Sequence, residues 1–155
     1  MDELIISLAT AADSAQIAVM IEEVFREFNA ASMLPEGQAE FLEFIRPGNI
    51  SSRLSAGACM FVAYYGGQLA GVVEVRIYSH IALLFTARRY HRQGVAKALL
   101  GAALARCREV RPNLKEITVN SSAYAIPIYE RLGFIRRDKE QIKLGVRYTP
   151  MVLPF

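Results

Sequence analysis

Residues 81–119 constrain the fold more than any other stretch of this chain. Ile81 to Thr86 is an apolar run of strand length, Gly94 to about Arg108 is an Ala- and Leu-rich run of helical length that ends before Pro112, and Ile117 to Val119 is a second short apolar run. Strand, helix and strand in that order form a crossover. A crossover joins two strands that run in the same direction, since a hairpin turn has no room for a helix. Upstream, Cys59 to Tyr65 and Gln68 to Tyr78 flank Gly66-Gly67, the signal of a tight hairpin. Residues 59–86 therefore read as an antiparallel meander that feeds the crossover. The fold class is α+β: a mixed, mostly antiparallel sheet with a central parallel pair and helices on both faces.

The flanks fit this frame. Leu4 to Leu8 reads as an opening strand, and Thr10 to Asp13 has the pattern of a capping box. Ile17, Ile21, Val24, Phe25 and Phe28 then recur at three- and four-residue steps, which predicts an amphipathic helix to about Asn29. A second helix is expected after Pro35, stopped by Pro47-Gly48, with a turn or two of helix over Ile50 to Ser55. Ser122 to Leu132 reads as a helix ended by Gly133, and Phe134 to Asp138 and Arg147 to Leu153 as closing strands. The apolar tail Met151 to Phe155 has two readings, a closing strand or a homodimer contact. The 155 residues fit one domain over 1–155, with no repeat or linker.

Composition narrows the class. Hydrophobic residues make up 53%, enough for a core, yet no apolar run approaches the roughly 18–20 residues of a membrane span. The start, Met1-Asp2-Glu3, lacks the positive charge of a secretory leader, so a cytoplasmic protein without a membrane partner is expected. Cys59, Cys107, His80 and His91 are too few for a disulfide framework or the usual zinc clusters, and no metal is expected. The net charge of +3 hides an asymmetry: residues 1–75 carry −7 and residues 76–155 carry +10. Two electrostatic tasks, or chance with solvated faces, would both give this split. Nucleic-acid binding by the basic half is disfavoured, because Arg106, Arg108 and Arg111 lie outside any helix-turn-helix or aromatic RNA-binding motif.

The segment Thr86 to Lys97, T-A-R-R-Y-H-R-Q-G-V-A-K, carries the chemistry. A strand ends, a basic loop follows, and Gly94 opens a helix. The first amides of a helix have no internal partner, and its dipole favours an anion ahead of them. Arg88, Arg89, Arg92 and Lys97 add positive charge around that point. The stretch reads as a phosphate cradle or as a helix start with a solvated basic loop. It is neither a Walker loop nor a dinucleotide fingerprint, since both signatures are absent.

The second informative stretch is V-N-S-S-A-Y-A-I-P-I-Y-E-R-L-G-F, Val119 to Phe134. A strand, H-R-Q-G-V-A-K-A-L-L, a helix, a strand and Y-E-R-L-G-F, in that order, resemble the GNAT superfamily of acetyl-CoA-dependent N-acetyltransferases. The family's pyrophosphate loop runs Arg/Gln-x-x-Gly-x-Gly/Ala. Here His91 stands at its first position, and Gly94 and Ala96 match. The family's Tyr before Glu-x-Leu-Gly-Phe falls on Tyr129, and its common Asn seven residues earlier is Ser122.

The resemblance implies a splayed central pair, with the gap beside 81–86 admitting the pantetheine arm of acetyl-CoA as an added strand would. Leu84, Phe85 and Thr86 would pair with that arm, and the amides of Arg92, Gln93, Gly94, Val95, Ala96 and Lys97 would hold the pyrophosphate. His91 and Ser122 are further contact positions. The implied reaction is acetyl transfer to a primary amine by direct attack in a ternary complex. Tyr129 would protonate the leaving thiolate, or else pack as a core tyrosine. A strand amide near Phe85 or Thr86 would polarise the carbonyl. For the base that deprotonates the amine, Glu74 and His80 are the candidates. Glu74 is equally readable as an Arg-paired carboxylate, and His80 as a structural histidine. The acidic segment Glu22 to Glu43, with Glu36 and Glu40, suggests a cationic small-molecule or peptide amine as acceptor. A non-catalytic acyl-CoA sensor is the other reading.

Overall fold

A computed structural model describes residues 3–155. Met1 and Asp2, and with them part of the leader argument, lie outside the described residues. Strand β1 (Leu4–Leu8) leads through a 3-10 turn into α1 (Ser14–Phe28), α2 (Pro35–Phe44) and α3 (Pro47–Ser55). The meander β2 (Cys59–Tyr65), β3 (Gln68–Arg76) and β4 (His80–Thr86) follows. Then come α4 (Val95–Val110), β5 (Glu116–Ser121), α5 (Ile126–Arg131), β6 (Ile135–Arg136), β7 (Gln141–Lys143) and β8 (Val146–Pro154).

The strands lie in the order β1-β2-β3-β4-β5-β8-β6, with β7 paired to β8. Among the described residues β4 and β5 are the parallel neighbours, and the other pairings are antiparallel. Two cores cover the sheet. Ile17, Ile21 and Val24 of α1 and Ile50 of α3 pack with Met60, Val62, Val72 and Leu83. Leu99, Leu100, Ala103 and Cys107 of α4 pack with Val73, Val75, Ile81 and Ile117. Burial of one such Leu or Ile contributes about 1.5–3 kcal/mol, so the two layers hold the sheet from both sides. Cys59 and Cys107 are free, buried thiols within the α4 core.

Local differences from expectation have physical causes. Pro47 does not merely stop α2; it sits at the first position of α3, where its missing N–H costs nothing. Strand β3 ends at Arg76 rather than Tyr78, because Ile77 and Tyr78 take positive φ of 46° and 55° to turn the chain. The helix expected over 122–132 is shorter: 122–125 form its turn and α5 begins at Ile126. The tail lies in β8, with Met151 1% and Val152 7% exposed against β5 and β6.

The parallel pair is short. Its register holds only His80 with Thr118 and Ile81 with Val119. Immediately beyond, β4 is bulged: Glu74 faces Leu83 and Val75 faces Ile81, leaving Ala82 without a partner. A bulge bends its strand. From there β4 follows β3 as far as Thr86 and Gly71, while β5 follows β8 as far as Ser121 and Thr149. The two central strands thus diverge because each keeps its antiparallel neighbour. Gly71 sets the depth of α4 on this sheet. A Cβ there would lie 2.9 Å from the Phe85 carbonyl oxygen and from side-chain carbons of Val95 and Leu99. The first turn of α4 is held at the open end of the pair by that close approach.

Candidate active site

Between β4 and α4 the chain makes one 3-10 turn (Arg88–Tyr90) and then a tight reversal. Arg92 has φ 62° and Gly94 has φ 81°. A left-handed residue next to a right-handed one in such a turn is the backbone pattern of an anion nest. Gly94 is the N-cap of α4 and offers no side chain to the helix. The first-turn amides of a sixteen-residue helix are therefore left without a side-chain acceptor. Arg92 and Lys97 stand beside them on the wall of one cavity. An uncapped helix start, a nest and two cations fit a pyrophosphate.

The cavity measures about 990 Å³ and extends from this loop into the gap between β4 and β5. Leu84, Phe85 and Thr86 line it from β4, and His91, Arg92, Gly94, Val95, Ala96 and Lys97 from the loop and α4. Ser122 and Tyr129 close it from the β5–α5 side. Beyond Ile81 the edge of β4 that faces β5 has no strand partner. An extended chain with amides fits such an edge.

Tyr129 is 6% exposed, and burial alone pushes its phenol above the ordinary value of 10.0. Its ring meets Phe134 edge-on at 5.2 Å. A phenol held protonated in a cavity wall is a proton donor, not a base. Ser122 is already engaged: its Oγ accepts from Asn29 Nδ2 at 2.9 Å and from the Ala125 amide at 3.2 Å. His91 turns its ring back, its Nε2–H donating to the Thr86 carbonyl at 2.8 Å. The His91 side chain thus fixes the end of β4. Gln93 does not line the cavity; its Nε2 donates to the Arg89 carbonyl at 3.0 Å.

Both residues considered as general base lie elsewhere. Glu74 is 2% exposed and forks onto Arg53, accepting from Nε at 2.8 Å and from Nη2 at 3.1 Å. Arg53 in turn donates to the Phe44 carbonyl at 2.8 Å and lies over the Phe44 ring. This is the Arg-paired carboxylate, removed from the cavity by its place on β3 under α3. His80 sits at the closed end of the parallel pair, with Nδ1 2.7 Å from Thr118 Oγ1. Burial, and then the charge of Arg76, lower its pKa below the ordinary value.

The acidic segment does not face the cavity either. Among the described residues no Asp or Glu lines it, whereas Arg92, Lys97, Arg131 and Arg147 do. Glu43 pairs with Arg46 at 3.1 Å, and hydrogen bonds from Arg46 and Asn49 lower its pKa. Glu22 pairs with Arg26, and Glu27 with Arg88. The cavity wall itself therefore offers none of these carboxylates to a cationic acceptor, and Glu22, Glu27 and Glu43 are paired with arginines.

The sequence matches the acetyltransferase (GNAT) domain family over residues 29–155. The chain belongs to the GNAT acetyltransferase family. Solved GNAT structures share the fold at low identity. The PaiA N-acetyltransferase of Thermoplasma acidophilum, in complex with coenzyme A, superposes with TM-score 0.82 at 14% identity, covering 99% of each chain. A GCN5-related N-acetyltransferase from Rhodopseudomonas palustris gives TM-score 0.78 at 20% identity, covering 100% of this chain and 96% of that one. The ribosomal-protein-alanine N-acetyltransferase of Brucella melitensis gives 0.67 at 18%, covering 97% and 99%.

Part of this GNAT cavity escaped sequence reading. Phe25, Asn29, Met33 and Phe41 line it from the α1–α2 region, and Val146, Arg147 and Tyr148 from β8. Phe25 and Phe41 carry the helical period of core residues, and nothing in that period separates a cavity wall from a core. The Asn29–Ser122 bond spans 93 residues of sequence, so no local spacing announces it.

Proposed function

We propose that residues 1–155 form one acetyltransferase domain that moves an acetyl group from acetyl-CoA to a primary amine by direct attack in a ternary complex. One observation carries this reading: the open edge of β4, the uncapped start of α4 and the buried phenol of Tyr129 line a single cavity. The coenzyme A bound by the Thermoplasma acidophilum relative supports it.

In this mechanism the thioester supplies an activated acetyl carbon and a sulfur leaving group. The amides of residues 92–97, with Arg92 and Lys97, hold the phosphates. Leu84 to Thr86 align the arm, and a backbone amide near Phe85 or Thr86 polarises the carbonyl. His91 steadies that strand end through Thr86. Tyr129 gives its proton to the departing sulfur, a transfer its raised pKa permits only as negative charge develops there.

Calorimetry with acetyl-CoA and with duplex DNA tests the assignment. Tight binding of acetyl-CoA without binding of DNA is expected, and failure to bind acetyl-CoA overturns it. That no carboxylate among the described residues lines the cavity also favours a second reading, a sensor that binds acyl-CoA without turning it over. Thiol release from acetyl-CoA in the presence of amines separates the two.

A further inference from the structure

The cavity wall contributed by α1, the following loop, α2 and β8 differs in chemistry from the wall beside α4. Phe41 carries this wall, backed by the buried Phe25 (1% exposed), on which it stacks at 4.4 Å with ring planes 26° apart. Phe41 reaches Phe85 of β4 at 5.8 Å, so the aromatic wall runs up to the strand end assigned to the thioester. Met33, Val146 and Tyr148 continue it, with Asn29 and Arg147 as its polar members. The charges on the cavity are all cationic, with no carboxylate among the described residues. The one imidazole on the wall, His91, spends its Nε2–H on Thr86 and lies beside the Phe28 ring at 5.4 Å.

From this we infer that the acceptor is a small aromatic amine that is uncharged at neutral pH. The inference rests on the acetyl-transfer reading above and names its substrate class. An aliphatic amine with a pKa of about 10 is neutral in only roughly one molecule in a thousand at pH 7. Its ammonium form would enter a compartment whose charged side chains, among the described residues, are all cations, which is costly. It would also need a base to take its proton, and none of the described carboxylates stands there. An aromatic amine avoids both costs. Its lone pair is delocalised into the ring, so it arrives neutral, and its ring matches the Phe41–Phe85 wall. In the reaction the nitrogen lone pair forms the N–C bond and the C–S bond breaks. Tyr129 protonates the sulfur. The N–H proton, made acidic by bond formation, leaves to water, and solvent returns a proton to Tyr129. The products are the N-acetylated amine and the free thiol.

The isomers 4-methylaniline and benzylamine separate the idea cleanly, because they share size and ring and differ in the charge of the nitrogen. Thiol release by the full chain with acetyl-CoA at pH 7 is expected to give 4-methylaniline at least about a tenfold higher kcat/KM than benzylamine or spermidine. A preference for benzylamine or spermidine, or no turnover of 4-methylaniline while calorimetry shows acetyl-CoA bound, overturns this inference and leaves coenzyme binding standing. Absence of acetyl-CoA binding overturns the acetyl-transfer reading itself. Two variants sharpen the result. Phe41→Leu keeps an apolar side chain and is expected to raise KM for 4-methylaniline several-fold with acetyl-CoA affinity unchanged. Met33→Glu places a carboxylate on the wall and is expected to move the selectivity ratio toward benzylamine. A ratio unmoved by Met33→Glu contradicts the electrostatic argument.

Discussion

The two ends of the β4–β5 pair treat their polar groups in opposite ways. At the closed end the polar groups of His80 and Thr118 have partners. The strands bond at 80–81 and His80 meets Thr118, and just past the bulge, on the adjoining strand, the buried Glu74 is held by the fork of Arg53. At the open end partners are missing. The β4 edge beyond Ile81 lacks a strand, the first turn of α4 lacks a side-chain cap, and the phenol of Tyr129, raised by burial, stands on the cavity wall. Buried polar groups are normally satisfied. A cluster that is not satisfied by protein marks where a ligand belongs, and a cluster that is satisfied marks where structure is being held. The sequence places titratable residues at both ends; their partners decide which end reacts.

The largest effect is expected from breaking the satisfied end. Arg53→Met leaves the Glu74 carboxylate buried with its ion-pair partner gone, and losing one side of a buried pair costs about 3–5 kcal/mol. Thermal or urea unfolding should show a large loss of stability. The folded fraction, assayed in the cold, should keep its pH–rate profile. A changed profile with unchanged stability would make Glu74 a catalytic group after all.

Next is the open end itself. Tyr129→Phe removes one oxygen from a cavity wall and leaves the edge contact with Phe134. If the phenol is the proton donor, kcat falls roughly 10²-fold, at the low end for general acid catalysis, while acetyl-CoA affinity is retained. Unchanged turnover at every pH would reduce Tyr129 to a packing residue. Gly94→Ala then probes the cradle. Nothing lies within 4 Å of the added Cβ, so the effect isolates the φ of 81°. Holding a non-glycine residue there costs about 1–2 kcal/mol. Lower stability and a rise of up to about tenfold in KM for acetyl-CoA are expected. An unaffected KM would show that the amide positions do not depend on that dihedral.

How much of this was legible in sequence follows the same division. The crossover, the basic loop and Gly94 are local features, set by period and by a helix start, and spacing along the chain exposes them. The divergence of β4 from β5 is not local. It depends on a bulge at Ala82 and on which neighbour each strand keeps, and no period records either. Glu74 stayed ambiguous for the same reason: its partner Arg53 is 21 residues away on another element. Pro47 ends α2 as its sequence position implies, but spacing alone does not show that it also begins α3, because a proline that ends one helix is a good first residue for the next. Strand β7, three residues long, is too short to carry a pattern.

The smallest expected effect tests the closed end by titration. His80 is half-buried, and burial followed by the charge of Arg76 lowers its pKa from 6.5. The folded state therefore binds the His80 proton less readily than the unfolded chain does. Stability rises with pH wherever the unfolded state holds more protons. The contribution is thus fully present above pH 6.5 and is lost as the pH falls from 6.5 through the lower folded value. Arg76 favours the neutral ring, and the Thr118 hydroxyl at 2.7 Å is the nearest polar partner. His80→Asn keeps a short polar side chain that does not titrate. Melting temperatures of both proteins, measured from pH 8 to about pH 5 across the His range, should converge or cross on the acid side, with the variant less sensitive between 6.5 and 5. Parallel curves would mean that His80 is protonated alike in both states. Loss of thiol-release activity in the variant at pH 7, with acetyl-CoA affinity and stability intact, would instead move His80 from the closed end of the pair to the chemistry at the open one.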